Sequence, residues 1–222
     1  MKCIVTAGPA YEELDEVRRL TNFSTGALGS ELANFLVGRG HEVELLRGHY
    51  STCQIELKAQ RTQIFTTSAD LRRRLQKLRS RKPAAVFHAA AVSDFAFGKI
   101  WTHAAGGGLK EIKSPKISTH GGIVLAELVA APKIISELRG WFPDAQLVGW
   151  KYELDGSRAQ AVARGAEQIA DNRTDACVIN GRAYGAGFGL LTASGKCRHL
   201  PDKHGLFDAL EKLLSGTMRL KH

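Results

Sequence analysis

The connection Gly8–Gly29 (GPAYEELDEVRRLTNFSTGALG) carries Asn22 and then the small residues Ser24, Thr25, Gly26 and Gly29. Small residues that open a helix leave backbone N–H groups exposed at the positive end of its dipole, an arrangement that suits phosphate or carboxylate. An ordinary helix capped by Ser24 or Thr25 fits the same residues. A dinucleotide fingerprint would set its glycines directly after the preceding strand, but here roughly twenty residues separate Thr6 from Gly26, against about 2–6 in a usual strand-to-helix loop. Ala89–Asp94 (AAAVSD) is a second candidate. Its methyl side chains let a ligand approach the backbone, and Asp94 is an acid able to meet a sugar hydroxyl or a metal. A helix N-cap at Ser93 or Asp94 is the alternative. Lys99, Lys110, Lys113, Lys116 and Lys133 surround a glycine-rich stretch; they read either as point charges that close over phosphates or as a solvated basic loop.

Other patterns narrow the chemistry. Arg72, Arg73 and Arg74, with Lys77, Arg79, Arg81 and Lys82, form the polar face of a helix whose apolar stripe is Leu71, Leu75 and Leu78. A solvated face is expected there rather than a nucleic-acid groove. The motifs HExxH and GxSxG and the Walker-type phosphate loop are absent, which removes sequence support for zinc peptidases, α/β-hydrolases and Walker-type NTPases. No tyrosine is followed four residues later by lysine, which counts against a short-chain dehydrogenase. The eight histidines show no metal-ligand spacing. His88, alone in an apolar run, reads as a satisfied core histidine.

The elements that must hold these residues alternate. Lys2–Ala7, Glu42–Leu46, Ala84–Ala91, Gln146–Trp150 and Ala176–Asn180 are short apolar runs rich in β-branched residues and predict buried strands. Between them, Leu28–Arg39, Ser68–Arg81 with Ser68 as N-cap, Pro132–Trp141, Gly156–Ala170 and Pro201–Leu214 predict helices. This alternation predicts an α/β fold: a doubly wound, mainly parallel sheet with helices on both faces, in one domain over 1–222. Lys99–Gly122, with Gly106-Gly107-Gly108 and Gly121-Gly122, has no period and is either a functional flap or an excursion from the sheet.

At 222 residues and 44% hydrophobic, the chain can bury a core without metal or disulfide staples. The net charge of +9 points to an anionic partner, nucleic acid or a phosphorylated small molecule. Cys3, Cys53, Cys177 and Cys197 are scattered, which reads as reduced thiols, with Cys3 and Cys177 as small buried hydrophobes. No apolar run approaches a membrane span and no signal peptide is evident, so a soluble cytoplasmic protein is expected.

Taken together, VTAGPAYEELDEVRRLTNFSTGALG, HAAAVSDF, KEIKS, LVAAPKIISEL and QLVGWKYELDG occur in an order that resembles the phosphopantothenoylcysteine synthetase family, the phosphopantothenate–cysteine ligases of coenzyme A biosynthesis. In bacteria this unit is often the C-terminal half of the bifunctional pantothenate-metabolism flavoprotein. The resemblance implies a Rossmann-like ligase acting in two steps. The carboxylate of phosphopantothenate attacks the α-phosphate of ATP or CTP, accompanied by Mg2+, and pyrophosphate leaves. The amine of cysteine then displaces the nucleotide to form an amide.

Carried over residue by residue, the resemblance assigns catalysis to Asn22, Arg18, Lys110 and Lys113. It assigns substrate binding to Gly8, Ser24, Thr25 and Gly26, and nucleotide binding to Ala90, Ala91, Asp94, Gly149, Trp150 and Lys151. No metal ligand from the protein is implied, and a homodimer is. Ala27 stands where the family usually has Lys or Arg, and Glu111 where the first flap lysine falls, so that Lys110 or Lys113 takes that place. Leu154 stands for the threonine of a Glu-Thr pair, and Lys151 resembles the ATP-using relatives. The rival readings are an NAD(P)-dependent oxidoreductase, with Arg47 at the end of the second strand, and a diverged non-catalytic binding paralogue.

Overall fold

The computed structural model describes residues 1–104, 107–118 and 122–219; Gly106 and Gly121 of the glycine-rich stretch lie outside them. In chain order the first elements are β1 (Lys2–Ala7), β2 (Tyr11–Glu13), β3 (Arg19–Thr21), α1 (Ala27–Gly38), β4 (Glu42–Gly48), β5 (Arg61–Phe65), α2 (Ser68–Lys77) and a 3-10 turn (Leu78–Arg81). There follow β6 (Ala85–His88), β7 (Phe95–His103), β8 (Leu109–Glu111), β9 (Val124–Ala130), α3 (Ile134–Trp141) and β10 (Gln146–Tyr152). The last are α4 (Arg158–Asn172), β11 (Ala176–Asn180), β12 (Phe188–Thr192), β13 (Cys197–Leu200) and α5 (Lys203–Arg219).

Eight strands form one sheet in the order β13-β12-β11-β10-β6-β1-β4-β5. The strands from β11 to β5 are all parallel neighbours. Counted among themselves they read 3-2-1-4-5-6, the order of a doubly wound nucleotide-binding sheet. β12 and β13 extend it as antiparallel strands. Period-two alternation sends successive side chains to opposite faces. Val5, Leu45, Val148 and Val178 pack with Leu32 and Leu36 of α1 and Leu206 and Leu210 of α5. Ile4, Leu46, Val86 and Leu147 pack with α2 and α3 through Leu71, Leu75, Ile134 and Leu138, and Cys177 and Ile179 pack with α4. Helices therefore cover both faces, as predicted. Cys3 and Cys177 are buried, and burial pushes both thiols up to about 12.

Several local expectations are corrected. The side chain that caps α2 is Thr67, whose oxygen accepts from the Asp70 N–H at 3.1 Å, and not Ser68. The regular ladder of β6 stops at His88 rather than running to Ala91. No helix follows Ser93 and Asp94; the chain goes directly into β7. Residues 95–130 are an excursion from the main sheet, a three-stranded antiparallel sheet in the order β8-β7-β9. The basic face of α2 is tied down by ion pairs: Arg72 donates twice to Glu137 of α3, while Arg73 and Arg74 fold onto Asp70.

Two features have measurable consequences. Gly29 lies where α1 crosses β1, and a Cβ there would stand 2.7 Å from the Ala7 Cβ and 2.9 Å from the Thr6 oxygen. Overpacking of this kind costs about 1–3 kcal/mol, more than the roughly 1 kcal/mol of helix propensity that alanine adds. Gly38, in the same helix, has nothing within 4 Å of that position. Gly29→Ala should therefore lower the urea midpoint while Gly38→Ala leaves it unchanged or raises it.

His88 is buried, and its Nδ1 lies 2.9 Å from the Thr6 hydroxyl. Burial holds its pKa down to about 4. The unfolded chain takes up a proton near pH 6.5 that the folded chain refuses, so this stability is complete above pH 6.5 and is lost as pH falls toward 4. The loss is on the order of 3 kcal/mol across that window. His88→Asn should flatten the pH dependence of unfolding free energy between pH 7 and 4 relative to the parent chain.

Candidate active site

In an open α/β sheet ligands sit beyond the carboxyl ends of the strands, where successive crossovers diverge to opposite faces. Here that point lies between β1 and β6. The two chains do not separate at once. Ala91 N–H donates to the Gly8 oxygen at 2.9 Å, and Ala10 N–H donates to the Ala91 oxygen at 3.0 Å. The Thr6 hydroxyl accepts from Ala90 N–H at 3.1 Å. Ala89, Ala90 and Ala91 place only methyl groups around this backbone.

The long connection after β1 is occupied by the β2–β3 hairpin, which explains its length. Asp15 shapes its turn, one carboxylate oxygen accepting from Val17 N–H (2.9 Å) and Arg18 N–H (2.7 Å). Tyr11 and Tyr50 flank the Arg19 guanidinium, 4.9 and 5.1 Å from its centre. Beyond β3, the Thr21 hydroxyl donates to the Ala10 oxygen, and the Asn22 amide donates to the Ala91 oxygen at 3.2 Å. The turn at Asn22 and the alanine-lined segment beyond β6 thus meet at Ala91, while the Asp94 carbonyl, three residues further on, accepts from Ala131 N–H at 2.9 Å where the excursion begins and ends.

The N-terminus of α1 is not capped by Ser24 or Thr25. Gly26 occupies the cap position in the left-handed region (φ 75°) with no side-chain cap; Thr25 instead accepts from Ala27 N–H at 3.3 Å. Ser51 packs against both Gly26 and Gly8, itself at φ 83°. A Cβ at Gly26 would lie 2.6 Å from the Ser51 hydroxyl, so both positions exclude side chains. The Ser51 hydroxyl is a buried oxygen with no hydrogen-bond partner in the structure. Nothing in the sequence around it had drawn attention to it. Cys53 N–H donates to the Thr25 oxygen at 3.1 Å and closes the loop over the helix end.

The remaining predicted residues lie on both sides of this point. Gly149, on β10, is level with His88 of β6; a Cβ there would meet Gln168 and Ile135. Trp150 is half-buried against the α1–α5 core, with its indole nitrogen buried and unpartnered. Lys151 lies 3.5 Å from Glu153, which also pairs with Arg164. Lys110, on β8 opposite Thr102, and Lys113 are exposed. Arg18 donates to the Ile117 oxygen at 2.6 Å and stands 3.7 Å from Asp15. Arg47 donates to the Ser51 and Cys53 carbonyls of its own loop, which occupies the cation that an NADP reading would need.

Sequence reasoning missed Asp15 and Ile117; an Asx turn at Asp-Glu-Val-Arg was the signal for the first. The open cavity of about 600 Å³ lined by Arg158, Tyr184, Cys197 and His199 lies at the far edge of the sheet. Arg158 there is engaged by Tyr184 and His199. Among the described residues, no helix is long and apolar enough to cross a membrane.

Comparison with known proteins places this geometry. The chain is similar to the coenzyme A biosynthesis bifunctional protein CoaBC of Thermococcus kodakarensis, 29% identical over 96% of this chain and 51% of that protein. It spans about half the length of the curated relatives it matches. Its fold is similar to the crystal structure of the DNA/pantothenate metabolism flavoprotein from Streptococcus pneumoniae (TM-score 0.83, 23% identity, 97% of this chain and 99% of that one). It is also similar to a Cab2 mutant in complex with phosphopantothenate-cysteine (TM-score 0.72, 16% identity, 98% and 86%). With residues 1–205 matching its model, the chain belongs to the family of the DNA/pantothenate metabolism flavoprotein C-terminal domain.

Proposed function

We propose that the chain joins 4'-phosphopantothenate to cysteine through an acyl-nucleotide, with ATP or CTP as co-substrate. The observation that supports this reading is the Asn22 amide on the Ala91 carbonyl, which joins the two segments to which substrate and nucleotide are assigned. A carboxylate becomes an acylating agent only when given a good leaving group. Its oxygen attacks the α-phosphorus, the bond to the bridging oxygen breaks, and pyrophosphate departs. The cysteine nitrogen then attacks the acyl carbon, the nucleoside monophosphate leaves, and the nitrogen loses a proton. Both substrates are polyanions, so the protein's contribution is positioning and charge compensation.

In this reading Asn22 orients the substrate carboxylate without adding charge. The backbone at Gly8, Ser24, Thr25 and Gly26 receives the acid substrate, while Lys110, Lys113 and Arg18 offset its charge. Ala90, Ala91 and Asp94 border the nucleotide, with Gly149, Trp150 and Lys151 beside its base; Lys151 favours ATP. Among the described residues no group of three or more His, Cys, Asp or Glu is placed to chelate a metal. Mg2+ would be carried on the triphosphate oxygens, where it would offset phosphate charge. A homodimer is also proposed, and the protein is taken to work in the cytoplasm. Both faces of β9 are exposed, with Leu125, Leu128 and Val129 at 42%, 52% and 39%, and an apolar ribbon of this kind calls for a cover.

Pyrophosphate release should require both phosphopantothenate and one of the two nucleotides, and the amide product should appear only with cysteine. Asn22→Asp places a second negative charge against the substrate carboxylate and should lower pyrophosphate release by about 10²–10³-fold, with the thermal midpoint unchanged. A chain that merely binds ligands would show no release under any combination. Leu128→Glu should convert the species seen by light scattering from dimer to monomer.

A further inference from the structure

The segment 114–118, between β8 and the second half of the excursion, is held by the β2–β3 turn. Glu16 N–H donates to the Pro115 oxygen at 3.0 Å. Ile117 N–H donates to the second carboxylate oxygen of Asp15 at 3.1 Å, and the Ile117 carbonyl accepts from Arg18 at 2.6 Å. Ile117 is 2% exposed and is the one buried residue among the described residues of 95–130. The Asp15 side chain is 3% exposed. Its two oxygens do different jobs: one caps the turn that presents Arg18, and the other grips the strap.

We propose that Asp15 is a positioning residue that latches the strap 114–118, and with it Lys113 and Lys116, to the loop bearing Arg18 and Asn22, so that the phosphate of the acid substrate meets lysines already in place. The proposal rests on the ligase reading given above. Removing the latch leaves Asn22 in place but takes away the Arg18 ion pair and one of the three hydrogen bonds that hold the strap, so the lysines sit on a more loosely anchored loop. Ordering that loop then opposes substrate binding, because fixing backbone costs conformational entropy. The hydrogen bond from Ile117 N–H, supported by those from Val17 and Arg18, outweighs burial and holds the Asp15 carboxyl below the usual carboxylate range. It is ionised wherever the protein is folded near neutrality, so neither oxygen donates back to the strap.

Asp15→Asn keeps one oxygen for the turn and turns the other into an amide NH2 that faces the Ile117 N–H, donor against donor. In the ligand-free protein, trypsin should cleave after Lys113 and Lys116 about tenfold faster in this variant than in the parent chain. The KM for phosphopantothenate should rise about tenfold, while kcat changes by less than about threefold and the KM for cysteine is unchanged. Unaltered cleavage, or a fall in kcat with KM unmoved, would overturn the proposal. Hydrogen exchange of the parent chain guards against a variant that does not fold: the Ile117 amide should exchange far more slowly than that of Lys113, and equal rates would also overturn it. If the parent chain releases no pyrophosphate, the ligase reading fails, yet cleavage and exchange still report on the latch.

Discussion

The carbonyl oxygen of Ala91 accepts from two directions, from the backbone of Ala10 and from the side chain of Asn22, while the N–H of the same residue is held by Gly8. One residue just past the end of β6 therefore joins three segments far apart in sequence. That junction is possible because nothing larger than a methyl group stands on Ala89, Ala90 or Ala91, and because Gly8 and Gly26 adopt positive φ against Ser51. A side chain at any of these places would hold the segments apart. The doubly wound sheet supplies the location, and small residues let the backbones use it.

Below this junction the sheet is conventional, and that regularity matters. Thr6 lies on the last turn of strand before the divergence. Its hydroxyl is shared by His88 and by Ala90 N–H, so a buried polar pair replaces what would otherwise be an unsatisfied peptide beside the site. The imidazole is neutral because burial disfavours its charge. It contributes shape and one hydrogen bond, and no fixed charge competes with an anionic ligand a few residues away.

Legibility in the sequence followed burial. β1, β4, β6, β10 and β11 are covered on both faces, and their runs are apolar enough to be read directly. β5 is an edge strand whose Arg-Thr-Gln opening is solvated, and β13 is exposed over Cys197–His199; neither carries an apolar signature. β7 and β8 hold no buried residue, so no period could show in Lys99–Gly122. The cap of α2 was displaced by one residue because Thr66-Thr67-Ser68 offers three adjacent hydroxyls and only backbone geometry selects among them. At the switch point, the two segments that meet, around Asn22 and Ala91, are contiguous motifs that the sequence displays. Ser51 and Ile117 matter through contacts across many residues, which no local pattern encodes; Asp15 has a local turn signature, but its bond to Ile117 spans about a hundred residues.

The basic excess also finds a physical place. The polyanionic pair of substrates proposed above would need compensating charge, but lysines cannot be buried in the sheet without a large desolvation cost. They stand instead on the excursion after β6, where Lys110, Lys113 and Lys116 are exposed. Such a segment has little core of its own. Burying one isoleucine is worth about 2–3 kcal/mol, and the three hydrogen bonds to the β2–β3 turn add about 1 kcal/mol each. Ordering residues 114–118 costs about 5 kcal/mol or somewhat more. The two sides nearly cancel, so the strap sits close to the boundary between held and released. A small number of well-placed contacts then decides where its charge resides; the Asp15 carboxylate accepts one of them directly and shapes the turn from which the others come.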